Sequence, residues 1–165
     1  MLHQQTQVRL PERPQRGASG DRRQCPRRYG RHQSLLGALV ACDTDALRLD
    51  RMGERLKRAG VSIVESVVID GALDITADRV LVDAPCSGFG TLRRNPALKW
   101  RQTPQSIEES VRKQASILAG AARLVKPGGR LVYATCSILT EENETVVDGF
   151  LAAHADFHRL AAAKV

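Results

Sequence analysis

Two of the four cysteines stand where a thiolate can act as a nucleophile. Cys86 lies in the segment Asp83-Ala-Pro-Cys-Ser-Gly88, and Cys136 lies in Ala134-Thr-Cys-Ser137. Each cysteine follows an apolar run and sits among polar, turn-forming residues, so its sulfur can be exposed and activated for attack. These two thiols are the first candidates for covalent chemistry.

The cysteine and histidine spacing predicts no metal site. Cys25, Cys42, Cys86 and Cys136 are too far apart for a Cys-x-x-Cys pair, and the four histidines offer no ligand spacing near them. We expect Cys42, inside an apolar run, to be a buried hydrophobe and Cys25 to have no role. A structural disulfide between Cys86 and Cys136 is the alternative to a reactive pair, and a reducing cytosol disfavours it.

Acidic residues end three of the apolar runs, at Asp43, Asp70 and Asp83. A single aspartate after a strand is commonly a helix cap or a turn former. Three of them together favour an edge that binds the ribose hydroxyls or the exocyclic amine of a nucleotide-like ligand. We expect the three acids and Cys136 to meet at the carboxyl edge of one sheet.

The elements that must position these residues alternate along the chain. Apolar, β-branched runs predict strands at 38–42, 61–69, 79–82 and 130–134. Apolar residues at helical spacing predict a helix over 45–59, a helix from Pro104 to about Val125 with Thr103 as its cap, and a helix from Thr140. Lys126-Pro-Gly-Gly129 is predicted to stop the second helix. Alternating strands and helices predict an α/β fold with a mostly parallel sheet.

The net charge of +7 comes almost entirely from residues 1–37, which hold eight arginines and two acids. This leader is irregular, with scattered proline and glycine, so the expected division is a basic leader over 1–37 and a catalytic domain over 38–165. The arginines can hold phosphates or simply be solvated, and six aromatic residues are too few for a base-stacking platform.

The longest apolar run, Leu35 to Cys42, is too short for a membrane span, so we expect a soluble cytoplasmic protein with no membrane partner.

Taken together, the motifs resemble those of the RNA cytosine-carbon-5 methyltransferases of the Sun (Fmu) type. The resemblance extends from about Ala38 to about Leu151. It is carried by the DAPCSG segment at 83–88, RRNP at 93–96, KW at 99–100, LVKPGGRLVYATCS at 124–137 and ENE at 142–144. It implies a Rossmann-like fold that uses S-adenosylmethionine and acts on RNA, most often ribosomal RNA.

The resemblance also implies catalytic roles. Cys136 would be the thiolate that adds to carbon 6 of cytosine, so that carbon 5 becomes nucleophilic enough to take a methyl group. Cys86 would assist the loss of the carbon 5 proton and the release of the product. Asp83 would hold ring nitrogen 3, and it could also contact the cofactor.

The binding roles are implied in the same way. Asp43 would bind the ribose hydroxyls of the cofactor, and Asp70 would accept from its adenine amine. Arg93, Arg94 and Lys99 would contact RNA phosphate, with a solvated basic turn as the alternative.

The sequence departs from the family pattern before the run that ends at Asp43. The family has there a strand and a loop like Asp-x-Cys-Ala-x-x-Gly-Gly-Lys that holds the methionine end of the cofactor, and nothing in residues 1–37 matches it. We therefore expect weak cofactor binding, a sheet that is incomplete at both ends, and a leader translated out of frame.

The alternative function is a non-catalytic remnant that binds RNA weakly. A DNA cytosine methyltransferase with Cys86 as nucleophile is a third interpretation, and it leaves Cys136 unexplained. The target cytosine and the oligomeric state stay open.

Overall fold

The computed structural model describes residues 4–9 and 38–160. Its strands are β1 (Gln4–Arg9), β2 (Leu39–Asp43), β3 (Val64–Val68), β4 (Ala77–Asp83), β5 (Val125–Thr135) and β6 (His158–Arg159). Its α-helices are α1 (Ala46–Arg58), α2 (Leu98–Arg101), α3 (Pro104–Ala122) and α4 (Glu144–Ala153). Short 3₁₀ turns lie at Phe89–Thr91 and Thr140–Glu142. No helix in the described part of the chain is long and apolar enough to span a membrane.

The described residues fall into two compact units. The first contains β1 and everything described from Asp74 onward, in which the sheet has the order β4-β5-β1-β6. The second contains residues 38–73 and the two-stranded sheet β2-β3. Residues 1–3 and 10–37 of the predicted leader lie outside the described residues, so the domain boundary expected at residue 37 stays a prediction.

β5 is the central strand of the first unit. It is parallel to β4, with Val80 opposite Leu131 and Asp83 opposite Ala134. On its other side β1 runs antiparallel, with Gln4 opposite Thr135. The sequence patterns place no element before Ala38, because Gln4–Arg9 is polar; its backbone is ordered by pairing with β5 instead. The predicted α/β fold with parallel strands is confirmed, with β1 and β6 as antiparallel additions.

Helices α3 and α4 supply the apolar residues that cover this sheet. The buried core combines the two helices, the inner positions of β4 and β5, and two residues just outside the strands, Ala84 after β4 and Phe157 before β6. Its members are Val82, Ala84, Leu118, Ala121, Ala122, Val125, Leu131, Tyr133, Val146, Val147, Phe150 and Phe157. Leu131 and Leu118 are 0% and 1% exposed. The strand β5, which precedes Cys136, and the helix α3, which follows the loop of Cys86, are therefore firmly anchored.

The start of α3 is as predicted, and its end is not. Thr103 accepts from the Ser106 backbone amide in a capping box, and Pro104 is the first helical residue. The helix ends at Ala122, about one turn before the predicted end, because Val125 already pairs with Ala77 in the sheet. Lys126-Pro-Gly-Gly129 therefore lies within β5, and Gly128 takes a φ of 80° there.

In the second unit β2 and β3 are parallel, with Leu39 opposite Val64 and Asp43 opposite Val68. Helix α1 comes after β2, and its N-cap Asp45 accepts from the amide of Leu47. The predicted strand over 61–69 is shorter in the structure, at Val64–Val68. This unit carries the two aspartates that the sequence assigns to nucleoside binding.

Candidate active site

Cys86 and Cys136 come together because β4 and β5 are parallel neighbours that end at the same edge. Asp83 is opposite Ala134, and the Ala84 amide donates to the Ala134 carbonyl at 2.9 Å. The loops after the two strands carry one cysteine each, and their sulfur atoms are 3.2 Å apart. Both are free thiols, and both are half-buried. The structure thus brings together the two residues that the sequence singled out first.

Gly90 lets the Cys86 loop fold back onto the Cys136 loop. Its amide donates to the Cys136 carbonyl at 2.9 Å. A Cβ at position 90 would lie 2.6 Å from that same carbonyl oxygen, closer than real Cβ atoms come. Only a residue without a side chain permits this approach.

A buried polar cluster lies beneath the two loops, with Glu142 at its centre. The Glu142 side chain is completely buried. Its carboxylate accepts from the amide of Ser87 at 2.8 Å, from the Ser87 hydroxyl at 2.5 Å and from Gln114 Nε2 at 3.1 Å. Gln114 Nε2 also donates to the Pro85 carbonyl at 2.8 Å. The residues on both sides of Cys86 are therefore tied to Glu142 and Gln114.

The neighbouring Asn143 makes the corresponding contacts to the Cys136 loop. Its Oδ1 accepts from the Thr135 hydroxyl at 2.6 Å, and its Nδ2 donates to the carbonyls of Ser137 and Leu139 at 3.2 and 2.7 Å. The Tyr133 hydroxyl donates to the Glu142 carbonyl at 2.8 Å. Burial, and then the charges of Glu142 and Cys86, raise the pKa of Tyr133 above its ordinary range, so this hydroxyl stays a donor.

Sequence reasoning assigned no functional role to Glu142, Asn143, Ser87 or Gln114. The helix predicted from Thr140 begins instead at Glu144, as α4, and Glu142 lies in the 3₁₀ turn before it. The only signal was its place in the Glu142-Asn143-Glu144 motif. Its burial depends on partners 28 and 55 residues away in sequence, which local patterns do not reveal.

The environment of Cys86 keeps its sulfur protonated. Burial, and after it the hydrogen bond with the Cys136 sulfur, raises the pKa of Cys86 to about 11. At neutral pH Cys86 is therefore a thiol, and it can donate its S–H to the sulfur of Cys136.

This pKa predicts a pH profile. We expect alkylation of Cys86 by iodoacetamide to speed up about tenfold per pH unit until the pH nears the pKa, because only the thiolate reacts. In Cys136→Ala the midpoint should fall, since that hydrogen bond is lost, yet stay above the ordinary cysteine value, since burial is the larger cause. Mass spectrometry of the alkylated peptide measures both profiles. A rate that levels off near pH ~8 in the unaltered chain would contradict the assignment.

Asp83 and a basic segment, residues 92–103, belong to the same unit as the two thiols. The Asp83 side chain is exposed at the end of β4. Arg93, Arg94 and Lys99 are exposed in the stretch between the 3₁₀ turn and α3, where no acid occurs between Asp83 and Glu108. Lys99 Nζ lies 4.6 Å from the ring centre of Trp100, whose side chain is 81% exposed. This segment is thus a cationic surface with one aromatic ring.

Asp43 and Asp70 both lie at the carboxyl edge of the sheet of the second unit. The amide of Ile69 donates to the Asp43 carbonyl at 2.9 Å, which brings the ends of β2 and β3 together. Asp43 Oδ1 accepts from the Asp45 amide at 2.9 Å, and Asp43 Oδ2 lies 3.7 Å from Arg48 Nη1. Asp43 thus has the turn-forming contact that a strand-end aspartate commonly makes, while Asp70 is exposed.

Comparison with known proteins supports one family. The family model described as 16S rRNA methyltransferase RsmB/F matches residues 32–165. Ribosomal RNA small subunit methyltransferase B of Shewanella oneidensis is 42% identical over 125 residues, which are 72% of this chain and 29% of the relative. The same-named protein of Klebsiella pneumoniae (strain 342) is 43% identical over 124 residues, with coverage of 72% and 28%. The chain therefore spans less than a third of the length of these curated relatives.

A solved structure agrees with the sequence relatives. The crystal structure of NSun6 from Pyrococcus horikoshii with SFG superposes with a TM-score of 0.64 at 36% identity, and covers 71% of this chain and 31% of its own. The resemblance noted in the strand-end motifs is thereby confirmed. With its thiol loops, its fold and a match over residues 32–165 all in agreement, this chain belongs to the RsmB/F family of RNA cytosine-carbon-5 methyltransferases.

Proposed function

We propose that this chain carries the catalytic thiols of an enzyme that methylates carbon 5 of cytosine in RNA, with ribosomal RNA as substrate and S-adenosylmethionine as methyl donor. The observation that carries the proposal is the pair of free thiols 3.2 Å apart at the shared end of β4 and β5. A mechanism with a single nucleophile would need no second thiol at this distance. A mechanism of attack followed by release gives both a role, because one sulfur attacks the base and the other assists release of the product. With this substrate we place the protein in the cytoplasm.

Cys136 is the attacking sulfur in this proposal. Its thiolate forms a bond to carbon 6 of cytosine, and the displaced electron pair makes carbon 5 nucleophilic. Once carbon 5 carries the methyl group, its proton passes to a water molecule, and the electrons of that C–H bond re-form the ring double bond as the sulfur–carbon bond breaks. The Cys136 thiolate is then regenerated. The high pKa of Cys86 supports this choice, because Cys86 is held as a thiol at neutral pH.

Cys86 and Asp83 take the supporting roles. The 3.2 Å separation puts the Cys86 thiol next to the sulfur–carbon bond that must break, where its S–H can hydrogen-bond to the departing Cys136 sulfur and so assist the elimination. Asp83 is opposite Ala134 in the sheet register, two residues before Cys136. Its exposed carboxyl group can donate a proton to ring nitrogen 3, or share one with it, and so stabilise the negative charge that develops on the ring.

The acids of the second unit fit the nucleoside part of the cofactor. The family depends on S-adenosylmethionine, and the SFG in the Pyrococcus horikoshii structure is an analogue of it. Ribose hydroxyls and the adenine amine are donors, and the edge of β2 and β3 offers two carboxylates, Asp43 and Asp70, as acceptors. When bound, the cofactor supplies an electrophilic methyl group.

The basic segment is proposed to contact RNA phosphates, and Trp100 can report it. We expect single-stranded RNA to change the fluorescence of Trp100, the only tryptophan, because Lys99 lies over its ring. Replacing Arg93, Arg94 or Lys99 by alanine should weaken binding and lower the slope of log K against log salt by about 0.7 per lost contact. Arg123→Ala, at the far end of α3, is the matched control and should keep the slope. An unchanged slope in all three variants would mean that the segment is merely solvated.

Methyl transfer itself is the test of the proposed function. The chain is incubated with unmethylated 16S rRNA fragments and labelled S-adenosylmethionine, and the digested RNA is searched for 5-methylcytidine by mass spectrometry. We expect labelled product with the unaltered chain and none with Cys136→Ala. RNA binding without any product would overturn the proposal and leave the non-catalytic RNA-binding alternative.

A further inference from the structure

We infer that Glu142 and Asn143 are positioning residues that set the separation of the two thiols. The inference rests on the proposed function, in which both sulfurs act on one cytosine. Its basis is that two consecutive residues bind different loops: Glu142 holds the loop of Cys86, and Asn143 holds the loop of Cys136.

Glu142 acts on the chain immediately around Cys86. It accepts from both donors of Ser87, and Gln114 bridges it to the Pro85 carbonyl. Within residues 38–160 the Glu142 carboxylate has no ion-pair partner, and the groups that donate to it are neutral. Burying such a group is costly, and an apolar residue of similar volume would serve the core better. The carboxylate therefore points to a task other than packing.

Hydrogen bonds through Ser87 also connect Glu142 to the loop of Cys136. A carboxylate only accepts, so the Ser87 hydroxyl must donate to Glu142 Oε2. The Ser87 oxygen is then free to accept from the Ser137 hydroxyl 3.2 Å away, while Ser137 Oγ accepts from the Leu139 amide. The Glu142 carboxylate thus sets the direction of the hydrogen bonds that lead from Ser87, next to Cys86, to Ser137, next to Cys136.

Asn143 completes the arrangement from the other side. It binds Thr135 and Ser137, the residues that flank Cys136, and its Nδ2 also donates to the carbonyl of Leu139. Helix α4 begins directly after it and is anchored by Val146 and Val147, which are 4% and 1% exposed. The sulfur separation of 3.2 Å is therefore fixed by one rigid point, the start of α4, to which both loops are attached.

The test measures how readily the two thiols meet, without RNA or cofactor. In glutathione buffers, oxidised glutathione takes two electrons and two protons from Cys86 and Cys136, which form a disulfide, and it leaves as two molecules of reduced glutathione. The fraction oxidised at each glutathione ratio gives the effective concentration of one thiol for the other.

We expect Glu142→Ala and Asn143→Ala to lower this effective concentration by roughly tenfold or more, because the loops are no longer fixed to one point. Glu142→Gln keeps the shape of the side chain and should retain most of the effective concentration. Glu141→Ala, the exposed neighbour, and Leu118→Ala, a core truncation that weakens the fold but removes no hydrogen bond to either loop, should keep the unaltered value.

If Glu142→Ala does not fold, as judged by circular dichroism, Gln114→Met tests the same link, because it keeps the volume and removes the donor to Pro85 and Glu142. An unchanged effective concentration in the folded variants, or an equal loss in Leu118→Ala, would overturn the inference. Failure of the proposed function is a separate result, since it appears as missing methyl transfer in the unaltered chain.

Discussion

Cys136→Ala is expected to abolish every covalent adduct between the protein and RNA, whereas Cys86→Ala is expected to accumulate one. Without the Cys136 sulfur no bond to carbon 6 can form. Without Cys86 the bond forms, but the carbon 5 proton leaves slowly, so the adduct persists. Labelled RNA incubated with S-adenosylmethionine and each variant, then separated on a denaturing gel, shows the adduct as RNA that migrates with the protein.

Two further variants interpret the gel. Cys42→Ala removes a thiol of the second unit, at β2, and should behave like the unaltered chain. The double variant Cys86→Ala and Cys136→Ala should give no adduct. The reverse pattern, with adduct in Cys136→Ala alone, would make Cys86 the nucleophile, as in the DNA-type interpretation.

Gly90→Ala is expected to separate the thiol loops and to destabilise the first unit. The new Cβ would stand 2.6 Å from the Cys136 carbonyl oxygen and 3.3 Å from its carbon, and both atoms belong to backbone that must move. Overpacking of this kind costs about 1–3 kcal/mol. Urea unfolding followed by circular dichroism gives the loss of stability, and the glutathione equilibrium gives the loss of thiol proximity.

Gly120→Ala is the matched control for that substitution. Gly120 lies in α3, and a Cβ there would meet no atom within 4 Å. Because alanine favours helix over glycine, this variant should gain roughly 0.5–1 kcal/mol. A similar loss of stability in both variants would refute the steric explanation for Gly90.

The sequence predicted the part of the site that depends on strand ends. The apolar runs before Asp83 and Cys136 predict two parallel strands, and parallel neighbours place the loops at their carboxyl ends along one edge. The structure agrees within the first unit, where Cys86 and Cys136 are in contact. Asp43 and Asp70 lie at the ends of β2 and β3, which form a separate two-stranded sheet, so the expectation that all three acids and Cys136 share the edge of one sheet is wrong.

The features that the sequence did not predict depend on distant partners. β1 is polar, and it is a strand only because it pairs with β5 more than a hundred residues later. Glu142 looks like any acid near a helix start, and its burial is decided by Ser87 and Gln114. The early end of α3 has the same cause, because Val125 joins the sheet through Ala77. In each case a long-range contact overrides a local preference.

The pairing of β1 with β5 has a consequence for the order of events at the ribosome. Gln4 is synthesised long before its partner Thr135. At about 5–20 residues per second, the nascent strand waits roughly 7–25 seconds for β5 to appear. During that time its backbone amides and carbonyls have no ladder to join, and closing so long a loop carries an entropic cost. The backbone beside Cys136 is thus completed only when β5 is made, by a segment that was synthesised more than a hundred residues earlier.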